Sequence, residues 1–399
     1  MKPVLNITRF IVGLLFIFSG LVKANDPLGL SYKMQEFFEI WNEGLTKSSF
    51  FINNVLVHLF QFLHDHSLAL SVIIISFEII AGVAVLLGWK MKLFSWLLLA
   101  LIIFFTFLTG YAYYSGKFKN CGCFGDCLPI SPLASFLKDV LLTTLIVFIF
   151  VHRKKIIPAF PRKINAGIMG ITTLFSFGIQ LYVLNYLPIV DCLPFKEGNS
   201  IHEKMKIPAG AIPDSFAIRF IYEKDRKQYE FSPNELPADL ESYKFKDRKD
   251  KLIRKGNAEP PIKGFSLSGI TNVDSTDIIL SKPYCILLFC ENFSTPVSKW
   301  QKSFSEIYSE AKNKNIPVYL VTTSPEEALK VIRATSFADI PVFKCDYTAI
   351  RTAARANPCL YLLENGVIIE KWSYKNMNEI KERLSKIPVQ QTISLAKQF

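Results

Sequence analysis

The chain has 399 residues, 50% of them hydrophobic and 14% aromatic, with a formal net charge of +12. So apolar a composition excludes an ordinary soluble protein and a disordered chain, and the length leaves room for two or three domains. The basic excess calls for no nucleic-acid partner: much of it flanks apolar runs, and the rest is scattered without a continuous basic stripe.

Five runs of roughly 20 apolar residues are long enough to cross the hydrocarbon core of a bilayer as helices, so membrane lipid is the first partner. They are about Val4 to Val22, Ser67 to Gly88, Leu93 to Tyr114, Pro132 to Val151 and Ile164 to Leu187. The first has a basic start (Lys2, Arg9), but Lys23-Ala24-Asn25-Asp26-Pro27 follows where a signal peptide has small residues, so it reads as a retained span. Short loops on one side carry Lys2 and Arg9, Lys90 and Lys92, then Arg153, Lys154, Lys155, Arg162 and Lys163, whereas the opposite short loop carries only Lys117 and Lys119. The positive-inside rule then places the N-terminus in the cytoplasm and the C-terminal half outside, as expected for a bacterial cytoplasmic (inner) membrane protein with a periplasmic domain.

Between the first two spans, Phe37, Phe38, Trp41, Phe50, Phe51, Leu56, Leu59, Phe60 and Phe62 recur at mixed helical spacings, which predicts one or two interfacial helices. His58, His64 and His66 lie there without a framing carboxylate or cysteine pattern, and they read as surface rather than as a metal site.

Cys121, Cys123 and Cys127 share one short loop between the third and fourth spans, and Cys192, Cys285, Cys290, Cys345 and Cys359 all follow the last span. With this topology every cysteine faces the oxidising side, where disulfides persist. Adjacent-but-one cysteines form a small strained ring when oxidised, and strain makes a disulfide a stronger oxidant. Cys121 with Cys123 is one pairing; Cys121 or Cys123 with Cys127 is another, leaving the third thiol to attack or resolve. Ser131-Pro132 reads as an N-cap and first-turn proline of the fourth span. A helix start near the thiols favours the thiolate. The competing readings are a static disulfide and a metal knot. Zinc is poorly served without a loop histidine, although Cys192 offers a fourth sulfur.

Ionisable groups inside spans are costly and mark functional sites. Glu78 sits near the middle of the second span, and Lys138-Asp139 about two turns into the fourth. They are expected either as packing ion pairs, such as Glu78 with Arg9, or as proton carriers for two-electron transfer to a membrane quinone.

Past Leu187-Pro188, Ile218 to Glu223 and Gln228 to Phe231 alternate at period two around Lys224-Asp225-Arg226-Lys227, a small hairpin. Lys244 to Lys255 reads as a solvated charged linker, and Ala258-Glu259-Pro260-Pro261 as a boundary. From Phe265 to Ile387 strands and helices alternate: strands at Tyr284–Phe289, Ile316–Thr322 and Pro341–Lys344, and helices at Ser298–Lys312, Pro325–Ala334 and Tyr347–Ala356. A hairpin over Leu360 to Trp372 turns at Asn365-Gly366. This is an α/β layer.

That last third resembles a thioredoxin-like domain, with Cys290-Glu291-Asn292-Phe293 after the core strand and Asn357-Pro358 in the place of the family's cis-proline. Where the family has its redox dithiol this sequence reads Ser294-Thr295-Pro296-Val297, so the resemblance implies a partner-binding domain without dithiol activity. Cys290 and Cys359 flank the neighbouring loops; buried small hydrophobes are the plainer reading of the free cysteines. The membrane part resembles the DoxX/MauE group, on Gly13 to Gly20 with Lys23, on Glu78-Ile79-Ile80-Ala81-Gly82 with Gly88, and on Cys121-Gly122-Cys123-Phe124-Gly125. The MauE branch implies envelope disulfide formation during methylamine dehydrogenase maturation, and the DoxX branch implies quinone-coupled sulfur oxidation.

The expected architecture is a membrane all-α part, a four-helix bundle plus a fifth transmembrane helix, followed by an extracytoplasmic α/β thioredoxin-like domain. Its expected divisions are 1–152, 153–190, 191–260 and 261–390. The leading function is thiol–disulfide exchange between an envelope client protein and a membrane quinone, with Cys121, Cys123 and Cys127 reacting and Glu78 and Asp139 carrying protons. The rivals are a non-enzymatic maturation factor with structural cysteines and a sulfur-compound:quinone oxidoreductase subunit.

Overall fold

The computed structural model describes residues 2–46, 53–118, 122, 125, 127–225, 227–237, 239–254, 256, 258–269 and 272–390. Its first seven helices are α1 (Lys2–Ala24), α2 (Pro27–Thr46), α3 (Asn53–Asp65), α4 (Ser67–Leu87), α5 (Met91–Ser115), α6 (Pro132–His152) and α7 (Arg162–Asn185). Of these, α1, α4, α5, α6 and α7 are long and apolar enough to cross a membrane. At 1.5 Å per residue each spans about 30 Å or more, the thickness of the hydrocarbon core. Their outward side chains, among them Phe10, Leu14, Phe107, Ile171 and Leu174, stay exposed and form an apolar belt suited to lipid.

Small residues let α1 and α4 come into backbone contact. A Cβ on Gly82 would lie 2.8 Å from the Gly13 carbonyl oxygen, and one on Gly20 would lie 2.5 Å from Cγ1 of Ile79. Without a hydrophobic force between helices in lipid, such close packing is what holds spans together. Val12 and Phe16 of α1 share a core with Ala81 and Val85 of α4, Leu98 and Ile102 of α5, and Leu142 and Ile146 of α6. Helix α6 begins as its sequence dictates: Ser131 Oγ accepts from the Ala134 amide at 3.4 Å, with Pro132 in the first turn. The segment between the first two spans folds as two helices, α2 and α3, and Ser31 of α2 meets Ser67 at the head of α4, 2.9 Å apart.

After α7 come a one-turn helix α8 (Ile201–Lys204) and three strands, β1 (Ser215–Lys224), β2 (Lys227–Phe231) and β3 (Lys244–Arg254), in the order β2-β1-β3. The charged stretch read as a solvated linker is therefore a strand, antiparallel to β1 from Phe216↔Leu252 to Glu223↔Lys244. An edge strand open to water needs few apolar residues, and Lys and Arg are common devices against edge-to-edge pairing.

The C-terminal domain contains α9 (Thr276–Leu280), β4 (Tyr284–Cys290), α10 (Gln301–Asn313), β5 (Val318–Thr322), α11 (Pro325–Ile332), β6 (Val342–Lys344), α12 (Tyr347–Ala353), β7 (Cys359–Glu364), β8 (Val367–Ser373) and α13 (Ile380–Lys386). The sheet order is β6-β5-β4-β7-β8, parallel on the β4-β5-β6 side and antiparallel from β4 through β7 to β8. Alternate residues of β4 point to opposite cores. Ile286 and Leu288 join Trp300, Phe304 and Leu384, while Leu287 and Phe289 join Ile350, Tyr361 and Phe195. The β7–β8 turn uses Asn365 (φ 48°) and Gly366 (φ 75°), the left-handed pair that two-residue hairpins favour. The Asn357–Pro358 peptide is cis. Helix α10 starts later than its apolar pattern suggests, because Val297–Lys299 form a 3-10 turn ahead of it.

Candidate functional site

Glu78, in the middle of α4, and Lys23, in the last turn of α1, form an ion pair of 2.5 Å with side chains 1% and 4% exposed. Ser19 Oγ donates to the other carboxylate oxygen at 3.2 Å. The Lys23 ammonium also lies 4.7 Å from the ring centre of Phe105. The expected partner of Glu78, Arg9, is at the other end of the bundle, where it donates to the Val85 and Leu86 carbonyls at 3.1 Å. Glu78 stands about 10–12 Å along α4 from that level, at 1.5 Å per residue, while Arg9 adds side-chain donors to carbonyls in the last turn of α4, where the Gly88 amide also bonds Val85. Asp139 is equally buried: Oδ1 pairs with Lys138 at 2.7 Å and Oδ2 accepts from Thr109 Oγ1 at 3.1 Å.

Both pairs line one cavity of about 60 Å³, walled by Phe16, Phe37 and Phe105 and roofed by Leu30, Lys33 and Met34 of α2. Space of that size admits several water-sized groups. Gly122 also lines it. This is the residue between Cys121 and Cys123, which themselves lie outside the described residues.

Cys127 forms a disulfide with Cys192, with Cα atoms 4.8 Å apart. This replaces the pairing of Cys127 within its own loop with a bond to the segment that leaves α7, which places the two elements side by side. Cys285, Cys290, Cys345 and Cys359 are free and buried. Burial pushes the Cys285 and Cys359 thiols up to about 12 and Cys345 up to about 11, and raises Cys290 further. Such thiols are inert at neutral pH.

Ser294, Thr295 and Pro296 form a partly exposed loop after β4, and Val297 opens the 3-10 turn before α10. It is tied to the cis-proline segment: the Asn357 amide group donates to Asn292 O and Oδ1, both at 2.9 Å, and Asn357 Oδ1 accepts from the Glu291 amide at 3.1 Å.

This loop lies close to the membrane part. Arg351 of α12 bonds Glu291 at 2.9 Å and Gln35 of α2 at 2.7 Å, and Arg355 bonds Asp26 at 2.8 Å. The guanidinium carbons of Arg351 and Arg355 stand 4.3 and 5.4 Å from the ring centre of Tyr32. Burial, together with Glu291, raises the Tyr32 hydroxyl well above its ordinary value. Helix α2 thus presents Tyr32 and Gln35 to the α/β domain and Lys33, Met34 and Phe37 to the cavity. Sequence reasoning missed Tyr32, Arg351 and Arg355, which carry no motif, and it placed Lys23 in the first span's motif without pairing it with Glu78.

The sequence comparisons fit this picture at the membrane end. Residues 1–152 match the family model of methylamine utilisation protein MauE. The five candidate spans and this match make the chain a multi-pass membrane protein. Residues 216–255, most of the three-stranded sheet, match a domain of unknown function. No curated protein matches the chain. Among solved structures, a conserved Bacteroides fragilis protein of unknown function is 20% identical over 30% of this chain and 93% of its own length, with TM-score 0.25. A thiol:disulfide interchange protein from Bacteroides sp. is 14% identical over 33% of this chain and 88% of its own, with TM-score 0.26. At such scores neither likeness informs the function.

Proposed function

We propose that this protein is a thiol–disulfide protein of the bacterial cytoplasmic membrane that matures an extracytoplasmic client. The carrying observation is that Gly122 lines a cavity that also holds the buried Lys23–Glu78 pair and the Lys138–Asp139 pair, whose carboxylate is buried, while Cys127 is already bonded to Cys192. That leaves Cys121 and Cys123 as the loop's remaining pair. In the oxidised loop these two share a disulfide. A client thiolate attacks one sulfur and the other leaves as a thiolate; the second client thiol then displaces the loop, so the client gains a disulfide and the loop becomes a dithiol. Two electrons and two protons must then leave the dithiol for re-use. A membrane quinone is the acceptor class that suits the cavity: Lys23 and Lys138 offer N–H donors, Phe16, Phe37 and Phe105 offer flat apolar walls, and Glu78 and Asp139 can hand on protons. When bound, a quinone supplies the two-electron, two-proton sink.

The N-terminus is cytoplasmic in this reading, with the loop and the C-terminal part outside. The basic loops support it, as does the bonding of Cys127, Asp26 and Gln35 to C-terminal residues at one end of the bundle. The four helices α1, α4, α5 and α6 form the working bundle and α7 anchors the rest. The C-terminal part is a thioredoxin-like domain without its dithiol, a reading supported by its strand order and cis-proline loop. It serves to bind the client beside the cysteine loop.

A second reading, a maturation factor with purely structural cysteines, draws support from the Cys127–Cys192 bond and the four buried thiols. The two separate on one experiment. In Cys121→Ser or Cys123→Ser, one variant should accumulate a mixed disulfide with a client on non-reducing gels, because the resolving thiol is gone. If neither variant captures a protein and both sustain maturation, the exchange reading is wrong.

A further inference from the structure

We propose that a recess between α1, the end of α4 and the chain after α6 binds the phosphate of an anionic phospholipid. It lies at the end of the bundle far from the α/β domain and is independent of the exchange reading. The recess has a volume of about 370 Å³, and three cationic side chains, Lys2, Arg9 and Lys155, line it. Arg9 is the anchor, because it is 8% exposed and has no carboxylate partner among the described residues. Nε and Nη2 donate to the Val85 and Leu86 carbonyls, and Nη1 donates to Asn6 Oδ1 at 3.3 Å. These bonds use four of the five guanidinium donors and leave one on Nη1 for a ligand. Every acceptor is neutral, so the charge itself is unmatched, and an unmatched buried charge is costly.

The backbone makes room for this guanidinium. Gly88 has φ of 67°, and a Cβ built on it would lie 2.8 Å from Arg9 Nη2 and 2.9 Å from the Ile157 carbonyl oxygen. The Ala159 amide donates to the Leu87 carbonyl at 2.9 Å, which holds the segment from Lys155 to Ala159 against the end of α4. Two features select an anionic phospholipid. The other walls include Leu5, Phe10, Leu86 and Ile157, and exposed Phe10 continues one turn along α1 into exposed Leu14 of the lipid-facing belt. Acyl chains gain from such walls, whereas a free phosphate gains nothing. Residues 2–25, 79–125 and 140–190, which supply every segment at this end, contain no Asp or Glu. The ammonium of an ethanolamine headgroup therefore finds no carboxylate here, while the phosphate of a glycerol-type headgroup meets three cations. Basic pockets between spans hold anionic headgroups by the same attraction.

The test follows thermal unfolding of the delipidated full-length protein in neutral detergent as phosphatidylglycerol, phosphatidylethanolamine with the same chains, or inorganic phosphate is added. Phosphatidylglycerol should raise the midpoint saturably and stay bound in native mass spectrometry, and the other two should do neither. Lys2→Gln and Lys155→Gln, both at exposed positions, should each weaken the lipid about fivefold. Lys90→Gln combined with Lys92→Gln, at the same end but outside the recess, should leave its affinity unchanged. Arg9→Lys keeps the charge but loses the fork, and it should weaken binding further; where it folds poorly, the two lysine pairs still decide. Equal losses from the two pairs would mean that surface charge at large attracts lipid, and would overturn the site. An equal response to phosphatidylethanolamine, stabilisation by inorganic phosphate alone, or no saturable shift with phosphatidylglycerol would overturn it too.

Discussion

Cys127 and Cys192, 65 positions apart, are joined by a disulfide that ties the cysteine loop to the chain leaving the last span. The bond encloses both α6 and α7, and a cross-link over such a length contributes about 2–4 kcal/mol. It sits beside Asn25, whose side chain bonds both backbone groups of Val190. Cys127→Ser, Cys192→Ser and the double variant should therefore lower the thermal midpoint in detergent by the same amount. Client capture through Cys121 and Cys123 should persist in all three below that midpoint. Additive losses in the double variant would show that the two sulfurs act separately.

Lys23 and Glu78 form a buried pair, and removing one member strands the other charge at a cost of about 3–5 kcal/mol. Glu78→Gln and Lys23→Met should each destabilise strongly, and the double replacement less than the sum of the two. Thermal unfolding of the four proteins in one double-mutant cycle measures this. Separately, Glu78→Gln should slow reoxidation of the loop dithiol in membranes more than it slows client oxidation by preoxidised protein. Equal slowing of both would remove Glu78 from the proton route.

Arg355 and Asp26, 5% and 12% exposed, anchor the α/β domain to the α1–α2 junction. Arg355→Ala should raise hydrogen exchange in the linker around Pro188–Leu193 and in the first turns of α2, with β4 and β7 still protected. Asp26→Arg should have the same effect, and combining it with Arg355→Asp should reverse much of it. Exchange that spreads through the whole sheet would mean that Arg355 serves the domain's own fold instead.

The buried thiols give a pH prediction with a definite sign. Burial raises Cys285 and Cys359 from an ordinary 9.0 to about 12 in the folded protein. The neutral thiol is favoured only when folded, so this contribution is fully present below pH 9 and is lost as pH rises through about 12. Native protein at pH 8 should leave Cys285, Cys290, Cys345 and Cys359 unlabelled by maleimide, and stability should fall on alkalinisation across that window. Rapid native labelling of any of the four would contradict their placement.

Much of this molecule is legible in its sequence, for physical reasons that also mark the limit. Five apolar runs announce spans because backbone in lipid must bond to itself. Asn365-Gly366 announces its hairpin through the conformation it favours. The pairing of Cys127 with Cys192 and of Lys23 with Glu78 follows from helix packing, which no local pattern encodes; Arg9 had the right charge but stood at the wrong height on α1. Strand β3 was obscured because Lys244 to Arg254 offers its neighbour backbone bonds rather than an apolar face. The docking pair Arg355–Asp26 joins residues of ordinary appearance, visible only once the two parts meet.

If the protein exchanges disulfides as proposed, Cys121 and Cys123 should cycle between dithiol and disulfide. Acid quenching of cells followed by alkylation with a mass-tagged maleimide and peptide mass spectrometry reads their state directly, with Cys127 and Cys192 as internal controls. Cys121 and Cys123 should be found as a mixture of thiol and disulfide that shifts toward thiol when membrane quinone is depleted, while the Cys127–Cys192 bond stays oxidised throughout. A Cys121 and Cys123 state that does not move with quinone or client supply would contradict the exchange reading.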